Sequence, residues 1–502
     1  MTDFAALRME TGLTLAEVAS GFGSTADRVT EWENGLVAPP AHVIRALRVL
    51  SEAATAETSP LPLRGRAASD AQQTFPWIEP DRKEAGPRRS RTGAFVDNMQ
   101  LPIHRWFRYS AGFSAAWVTE IVKERAKASA LLFDPFAGSG TSLLAAQAGG
   151  VSSAGAERHP FVHRIARAKL NWNVEPLSLR ERGLRLLEHA RSSNACSNGA
   201  ALLQKCYSPE ALSRLENLRQ AYWECEAGDG DAIAELLWLA LTSILRECSG
   251  VGTAQWQYIL PNKAKARVSD PYVAFARRLE MFAGDVAQMR RDAAPYATEL
   301  LPEDARQLDG FDHLEGRVSL VITSPPYPNN YDYADATRLE MTFWREIESW
   351  SDLQHSVRRR LIRSCSQHSA AERLELDSLL GDPLVEPIRN ELSRVCRELA
   401  TVRETKGGRK TYHTMVAAYF ADLARVWRAL RPLCAAGAEL CFVIGDSAPY
   451  GVYVPVDHWL GDLAVAAGFH DPRFEKVRDR NVKWKNRKHR VPLKEGNLWL
   501  RG

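Results

Sequence analysis

Cysteine is scarce and unpatterned in this sequence: eight residues in 502, at Cys196, Cys206, Cys225, Cys248, Cys365, Cys396, Cys434 and Cys441, with no Cys-x-x-Cys pair. One Cys-x-x-His, Cys365 with His368, has no second ligand pair at zinc spacing. Neither a structural zinc site nor a disulfide framework is expected. Long apolar runs are also missing: nothing approaches roughly 18 uncharged residues, so no membrane-spanning helix is expected. Acids occur early in the first ten residues, and no basic stretch is followed by an apolar core. A secretory signal is therefore not expected, and the protein reads as cytoplasmic. Excess charge of one sign is lacking too. A formal net charge of +4 is small for this length, so local clusters must carry any argument for a polyanionic partner.

What is present is an ordinary globular composition, 45% apolar and 25% charged, in a chain long enough for two or three folding units. Residues 1 to about 50 place Leu13, Leu15, Val18, Ala19, Phe22, Val29 and Trp32 at helical spacing, broken at Gly21 and Gly23. Thr14 with Glu17, and Ser24 with Asp27, suit capping devices at two successive helices. Residues 12 to 35 resemble the helix-turn-helix of phage-repressor-like DNA-binding domains. That resemblance implies a second helix reading the major groove with its N-terminal residues, here Ser24, Thr25, Asp27 and Arg28. A small helical bundle used for protein contacts is the alternative. A linker rich in Ala, Pro, Ser and charge follows over 51–97, with Arg82, Lys83, Arg88, Arg89 and Arg91 near its end. This basic run suits either a solvated tether or phosphate contacts.

From about Asn98 onward, strand-length apolar runs alternate with helical segments. The runs are Leu131 to Phe136, Ser152 to Glu157, Val318 to Thr323 and Glu439 to Ile444, and the first two lead into helices at Ser142–Ala148 and Pro160–Leu170. Such alternation predicts an α/β unit over 98–502, with a mostly parallel sheet and helices on both faces. Two largely helical stretches, about 171–296 and 345–408, are too long for connecting loops and read as insertions.

Gly138 and Gly140 fall where the first strand turns into its helix, a turn that needs positive φ and lets a ligand lie against the backbone. The run Phe133-Asp134-Pro135-Phe136-Ala137-Gly138-Ser139-Gly140-Thr141 resembles motif I of the S-adenosylmethionine-dependent DNA amino-methyltransferases. The resemblance extends to Thr323-Ser324-Pro325-Pro326-Tyr327, to Leu101–Phe113, to Glu303–Arg306 and to Glu439–Ser447. It implies a Rossmann-like, seven-stranded methyltransferase sheet that binds S-adenosyl-L-methionine. The loop Asp134–Thr141 would hold the cofactor, with Phe136 against its body and Phe113 in the segment covering the methionine end. Glu157, about 20 residues beyond the glycine loop, would accept from the ribose hydroxyls. Asp304 would receive the adenine amino group, with Asp309 or Asp312 as replacements.

An exocyclic base amine is a poor nucleophile because its lone pair is delocalised into the ring. Acceptors placed on that amine, the Ser324 hydroxyl and the Pro325 carbonyl, would reduce the conjugation. Pro325 and Pro326 stiffen the loop, and Tyr327 offers a flat face for a base flipped out of the duplex. Serine at the first position is commoner in cytosine-N4 enzymes, whereas Asp or Asn is usual in adenine-N6 enzymes. Cytosine N4 is favoured and adenine N6 remains the alternative. No cysteine follows a proline, so the nucleophile of cytosine-C5 enzymes is missing.

Phosphate contacts are expected from Arg358, Arg359 and Arg360, and from a C-terminal stretch containing Arg478, Arg480, Lys483, Lys485 and Arg487 interleaved with Trp484. Target recognition would lie in one of the two insertions, with 345–408 favoured for its basic patch. The implied partner is double-stranded DNA in a bacterial, nucleoid-associated setting. A restriction-modification or phage-defence role leaves room for a cognate restriction endonuclease. A rival reading is a helix-turn-helix regulator with an inactive methyltransferase fold. It predicts decay at Gly138, Gly140, Ser324 or Tyr327, and all four are present.

Overall fold

The computed structural model describes residues 3–11, 13–21, 24–40, 43–44, 47–48, 51, 95–109, 112–126, 130–193, 200–226, 231–253, 259–292, 296–329, 331–367, 374–408, 410–480 and 491–502. The chain divides into two compact units, residues 1–92 and 93–502. Among the described residues, no helix is long and apolar enough to cross a membrane.

The first unit contains helices Asp3–Glu10, Leu15–Gly21 and Ala26–Glu33. They bury Phe4, Val18, Ala19, Val29 and Trp32 together with Val43 and Leu47, and Phe4 meets Trp32 edge to face at 5.7 Å. Four of the seven apolar positions singled out above are thus core. Phe22 lies outside the described residues. The cap of the third helix is Thr25, not Ser24: its side chain accepts from the Arg28 backbone N–H. The two adjacent residues are both capping types, and the helix starts one residue later than the spacing suggested.

The second unit is built on a seven-stranded sheet. Its strands are β1 (Leu131–Asp134), β2 (Ser152–Ala156), β5 (Thr298–Leu301), β6 (Val318–Thr323), β7 (Cys434–Gly445), β8 (His470–Arg480) and β9 (Leu493–Arg501). A separate antiparallel pair, β3 (Val251–Thr253) and β4 (Ile259–Ala264), lies within the first insertion. The order across the sheet is β5-β2-β1-β6-β7-β9-β8. Neighbours from β5 to β7 are parallel, while β9 is antiparallel to both β7 and β8. The expected mostly parallel α/β architecture is therefore present. In β1, Phe133 faces one apolar layer and Leu132 the other. The period of two sorts β6 in the same way, with Val321 on one side and Leu320 and Ile322 on the other.

Helices Ala115–Arg125 and Thr141–Ala148 cover one face through Val118, Ile121, Leu143 and Ala146. Helices Tyr412–Leu430 and Val456–Ala466 cover the other. The helix Arg389–Thr405, within the second helical stretch, joins that same layer through Leu392, Val395, Cys396 and Leu399. The stretch 345–408 is therefore partly a layer of the main core. The first insertion carries helices Pro176–Ser192, Pro209–Cys225, Ala232–Ile244 and Pro271–Asp292.

The chain builds β2 and β5 on one side of β1, then crosses to place β6 on the other. This reversal opens a crevice at the carboxyl ends of β1 and β6, where such sheets receive ligands.

Trp427 is fully buried, its ring 4.1 Å from that of Phe442 and 5.4 Å from Phe469. Trp427→Ala should lower the unfolding free energy by about 3–5 kcal/mol in a denaturant titration.

Candidate active site

The crevice at the reversal is a cleft of about 780 Å³ of non-atom space, including its open mouth. Pro135 to Ser139 and Thr141 of the loop after β1 line it, together with Glu157, Arg158 and His159 from the end of β2. Tyr109, Gly112 and Phe113 contribute from the segment before the sheet, and Glu303 to Ala305 from beyond β5. Ser324 and Pro326 after β6, Tyr333, and Arg360 to Ile362 complete the lining. The glycine loop and the Ser-Pro-Pro-Tyr loop thus share one cavity.

Asp134 is the post behind it. Fully buried at the end of β1, it accepts from the Phe136 backbone N–H (2.9 Å), from Ser142 Oγ and from Thr323 Oγ1 (2.5 Å). Burial pushes its carboxyl up to about 6, opposed by these hydrogen bonds. It does not line the cleft, so its relation to a ligand there is indirect. Gly140 is also set back, in a left-handed conformation (φ +85°) at the start of the helix Thr141–Ala148. Gly138 has φ +54°, and a Cβ there would lie 3.2 Å from Tyr109 Cε1. Glycine therefore serves both the turn and the close seating of Tyr109. The Ser139 hydroxyl is buried without a partner at the cleft wall.

Glu157 accepts from the Gly138 N–H (2.9 Å) on one carboxylate oxygen and from the His159 N–H (2.7 Å) on the other. Burial raises its carboxyl to about 7, against those two hydrogen bonds, with Asp134 adding to the rise. Asp304 faces the cleft, whereas Asp309 and Asp312 are exposed and do not line it. Against the upward push of burial, hydrogen bonds and charge from Arg306 hold the Asp304 carboxyl below its ordinary value.

Ser324 Oγ donates to the Val443 carbonyl at 3.4 Å. Pro325 is buried and lies off the cleft, as does Tyr327. The Arg480 guanidinium sits 5.0 Å from the Tyr327 ring centroid and donates to the Asp446 carbonyl at 2.7 Å. Burial raises the Tyr327 phenol well above its ordinary value. At Gly445 a Cβ would stand 2.8 Å from Arg480 Nη1 and 3.1 Å from Tyr327 Cε2, so a larger residue there would displace the Arg480–Tyr327 contact.

Two of the expected phosphate contacts are corrected. Arg358 is 1% exposed, bonded to Asp332 through Nε (3.2 Å) and Nη2 (2.7 Å), with its guanidinium over Trp350. Arg480 is 13% exposed and spent on Tyr327, Asp446 and Glu495. Arg359 and Arg360 are exposed, and Arg360 also lines the cleft. Arg478 is half-exposed and pairs with Glu495 at 2.7 Å. Lys483, Lys485 and Arg487 lie outside the described residues. In the first unit Thr25 and Arg28 are exposed and Ser24 half-buried, and Arg28 pairs with Glu31 at 2.6 Å. Sequence reasoning missed Tyr109, His159, Tyr333 and Ile362 in the lining. Tyr109 stood inside a segment already singled out, but nothing local marked Tyr333 or Ile362.

The Arg480–Tyr327 contact is testable by stability alone. A double-mutant cycle of Arg480→Ala with Tyr327→Leu should give a coupling of about 0.5–2 kcal/mol, whereas additive losses would mean the two side chains act independently.

No family model and no solved structure matches the chain. Curated relatives do. The chain is 24% identical over 431 residues to the Type II methyltransferase M.BsoBI of Geobacillus stearothermophilus, covering 77% of this chain and 82% of that protein. It is 24% identical over 415 residues to the Type II methyltransferase M.AvaI of Nostoc sp. and of Anabaena variabilis, covering 75% of this chain and 81% of each. Over three quarters of its length, the chain is similar to Type II methyltransferases.

Proposed function

We propose that this protein is a DNA methyltransferase that moves a methyl group from S-adenosylmethionine to an exocyclic amino group, with cytosine N4 favoured. The observation that carries the reading is that Ser324 and Pro326 line the same cleft as Ser139, Glu157 and Asp304. The similarity to Type II methyltransferases supports it and suggests a restriction-modification role.

The donors and acceptors around the cleft fit the proposed cofactor. A carboxylate offers about four acceptor positions. Glu157 uses two of them on Gly138 and His159, which leaves one on each oxygen for a vicinal diol. Asp304 directs two bonds from Arg306 to Oδ1 and one to Oδ2, leaving Oδ2 able to accept from an adenine amine. The unpartnered Ser139 hydroxyl supplies a further polar contact, with Phe113 and Phe136 as apolar walls. Asp134 and Gly140 shape this loop from behind. When bound, S-adenosylmethionine supplies an electrophilic methyl group on its sulfonium.

Ser324 donates its hydroxyl hydrogen to the Val443 carbonyl and also meets the Tyr327 hydroxyl, which leaves an oxygen lone pair to accept from the target amine. The Pro325 carbonyl is the second acceptor in this scheme. Both draw the nitrogen away from conjugation as it attacks, and the proton that the methylated amine sheds passes to solvent. Tyr327, with Arg480 over one face of its ring, is the proposed stacking surface for a flipped base beside the cleft, and Tyr333 offers an aromatic edge within it. The first unit is proposed as a helix-turn-helix reader using Ser24, Thr25 and Arg28. Arg359, Arg360 and Arg478 are proposed as phosphate contacts, and 345–408 as the stretch that selects the target.

Incubation with tritiated S-adenosylmethionine and duplex DNA should label the DNA, and Ser324→Ala should slow labelling by about 10²–10³-fold. Absence of label with the native chain would sink the reading. Hydrolysis of that DNA should yield N4-methylcytosine; N6-methyladenine would instead assign the acceptor as adenine.

The position of Glu157 adds a pH signature. Below about 7 its carboxyl takes up a proton and loses an acceptor, so affinity for S-adenosylmethionine should fall as pH drops from 8 towards 6.5. Glu157→Gln should bind weakly with a flat profile over that window. An equally steep profile in the variant would assign the titration to another group.

A further inference from the structure

We infer that Asp285 is a positioning residue for the cofactor, through which the stretch 171–296 holds a segment that leads into the cleft wall. This inference rests on reading the cleft as the S-adenosylmethionine site.

Asp285 lies on the helix Pro271–Asp292, far in sequence from the glycine loop, and is 1% exposed. Its carboxylate gathers N–H donors from three consecutive parts of one short stretch. The Ile103 backbone N–H (3.1 Å), Arg105 Nε (3.0 Å) and Trp106 Nε1 (2.9 Å) all donate to Oδ2, and Arg105 Nη2 donates to Oδ1. One turn earlier on the same helix, Phe282 stacks on Trp106 with ring centroids 4.3 Å apart and planes inclined by 16°. The buried amino group of Lys169 donates to the carbonyls of His104 (3.2 Å) and Phe107 (3.4 Å) in the same stretch.

These bonds enforce an unusual backbone. Ile103 sits at φ +63°, which a β-branched residue rarely adopts unless its surroundings demand it. The stretch then runs directly into the cleft wall at Tyr109, Gly112 and Phe113, and Tyr109 rests against Gly138. Its far end is pinned as well: Asn98 donates to the Phe113 carbonyl (2.9 Å) and accepts from the Ala115 N–H (2.8 Å). Tyr109 and Phe113, both in the cleft lining, therefore lie between two buried polar anchors. A folding contact alone needs only apolar packing, which Trp106 and Phe282 already provide. Four directed donors on one carboxylate specify a backbone path, and that path ends on the ligand side.

Without the Asp285 carboxylate, Ile103 is free to relax and the covering wall must be reordered each time cofactor binds. Apparent affinity falls by the fraction of molecules that hold the competent arrangement. The chemical step, set by Ser324 and its neighbours, is untouched once the cleft is filled.

The test uses the full chain carrying Asp285→Asn or Asp285→Ala. Binding of S-adenosylmethionine is measured by calorimetry, duplex DNA binding separately, and methyl transfer over a range of cofactor concentrations. A drop of the competent fraction to a few per cent predicts a rise of about 30-fold in Kd and KM for S-adenosylmethionine. kcat at saturating cofactor and the DNA affinity should stay within about twofold, and Asn, which keeps an acceptor oxygen, should lie between Ala and the native chain. Phe282→Leu, which loosens Trp106 without removing a charge, should move Kd in the same direction should the Asp285 variants fail to fold. An unchanged cofactor Kd in these variants, or a loss of kcat at saturating cofactor in step with thermal destabilisation, would overturn the assignment. Failure of the native chain to bind S-adenosylmethionine would overturn the reading of the cleft itself, and this inference with it.

Discussion

One buried carboxylate stands where the order of the sheet reverses, and the two loops that share the cleft take their positions from it. Asp134 closes β1, and its oxygens accept from the Phe136 N–H, the Ser142 hydroxyl and the Thr323 hydroxyl. A carboxylate removed from water must find such partners, because an unsatisfied one is far costlier than the bonds are worth individually. Satisfying it turns the chain sharply after Asp134, fixes the first turn of the following helix and ties the end of β6 to the end of β1. The glycine loop and the Ser-Pro-Pro-Tyr loop diverge from these tied strand ends. Their spacing is thus a property of the core and not of the loops.

The same device recurs around the cleft. Asp422, buried on the helix Tyr412–Leu430, pairs with Arg363 at 2.6 Å and Arg306 at 3.4 Å. It thereby holds the stretch carrying Arg360 to Ile362 beside the one carrying Asp304. Asp332 holds Arg358, and Asp285 holds Ile103 to Trp106. Desolvation offsets much of the attraction within buried pairs, so their main contribution is direction and register. Peripheral segments from distant parts of the chain are set around one cavity by carboxylates that never touch it.

Much of this was legible locally. The runs that became β1 and β6 are short and mostly apolar because parallel strands covered on both faces favour apolar residues, while β2 is built of small ones, Ser-Ser-Ala-Gly-Ala. Gly138 and Gly140 announce their turn because few other residues adopt positive φ there. The helix Pro160–Leu170 was bounded correctly by its leading proline. β8 was not legible as a strand, since His470–Arg480 is charged on both faces and owes its form to pairing with β9. Arg358 and Arg480 read as surface cations because their partners, Asp332 and Tyr327, stand 26 and 153 residues earlier in the sequence. Asp285 gave no signal at all: as one of three acids in an amphipathic helix, it acquires meaning only from a stretch some 180 residues earlier in the sequence.

Coupling of the two loops through Asp134 can be measured directly. In Asp134→Ala, checked for retained folding by circular dichroism, S-adenosylmethionine affinity and the single-turnover rate of methyl transfer at saturating cofactor are determined separately. A shared post predicts that both fall, because the glycine loop and the Ser324 loop lose their common reference. A variant that binds cofactor weakly yet transfers at the native rate once saturated would contradict it.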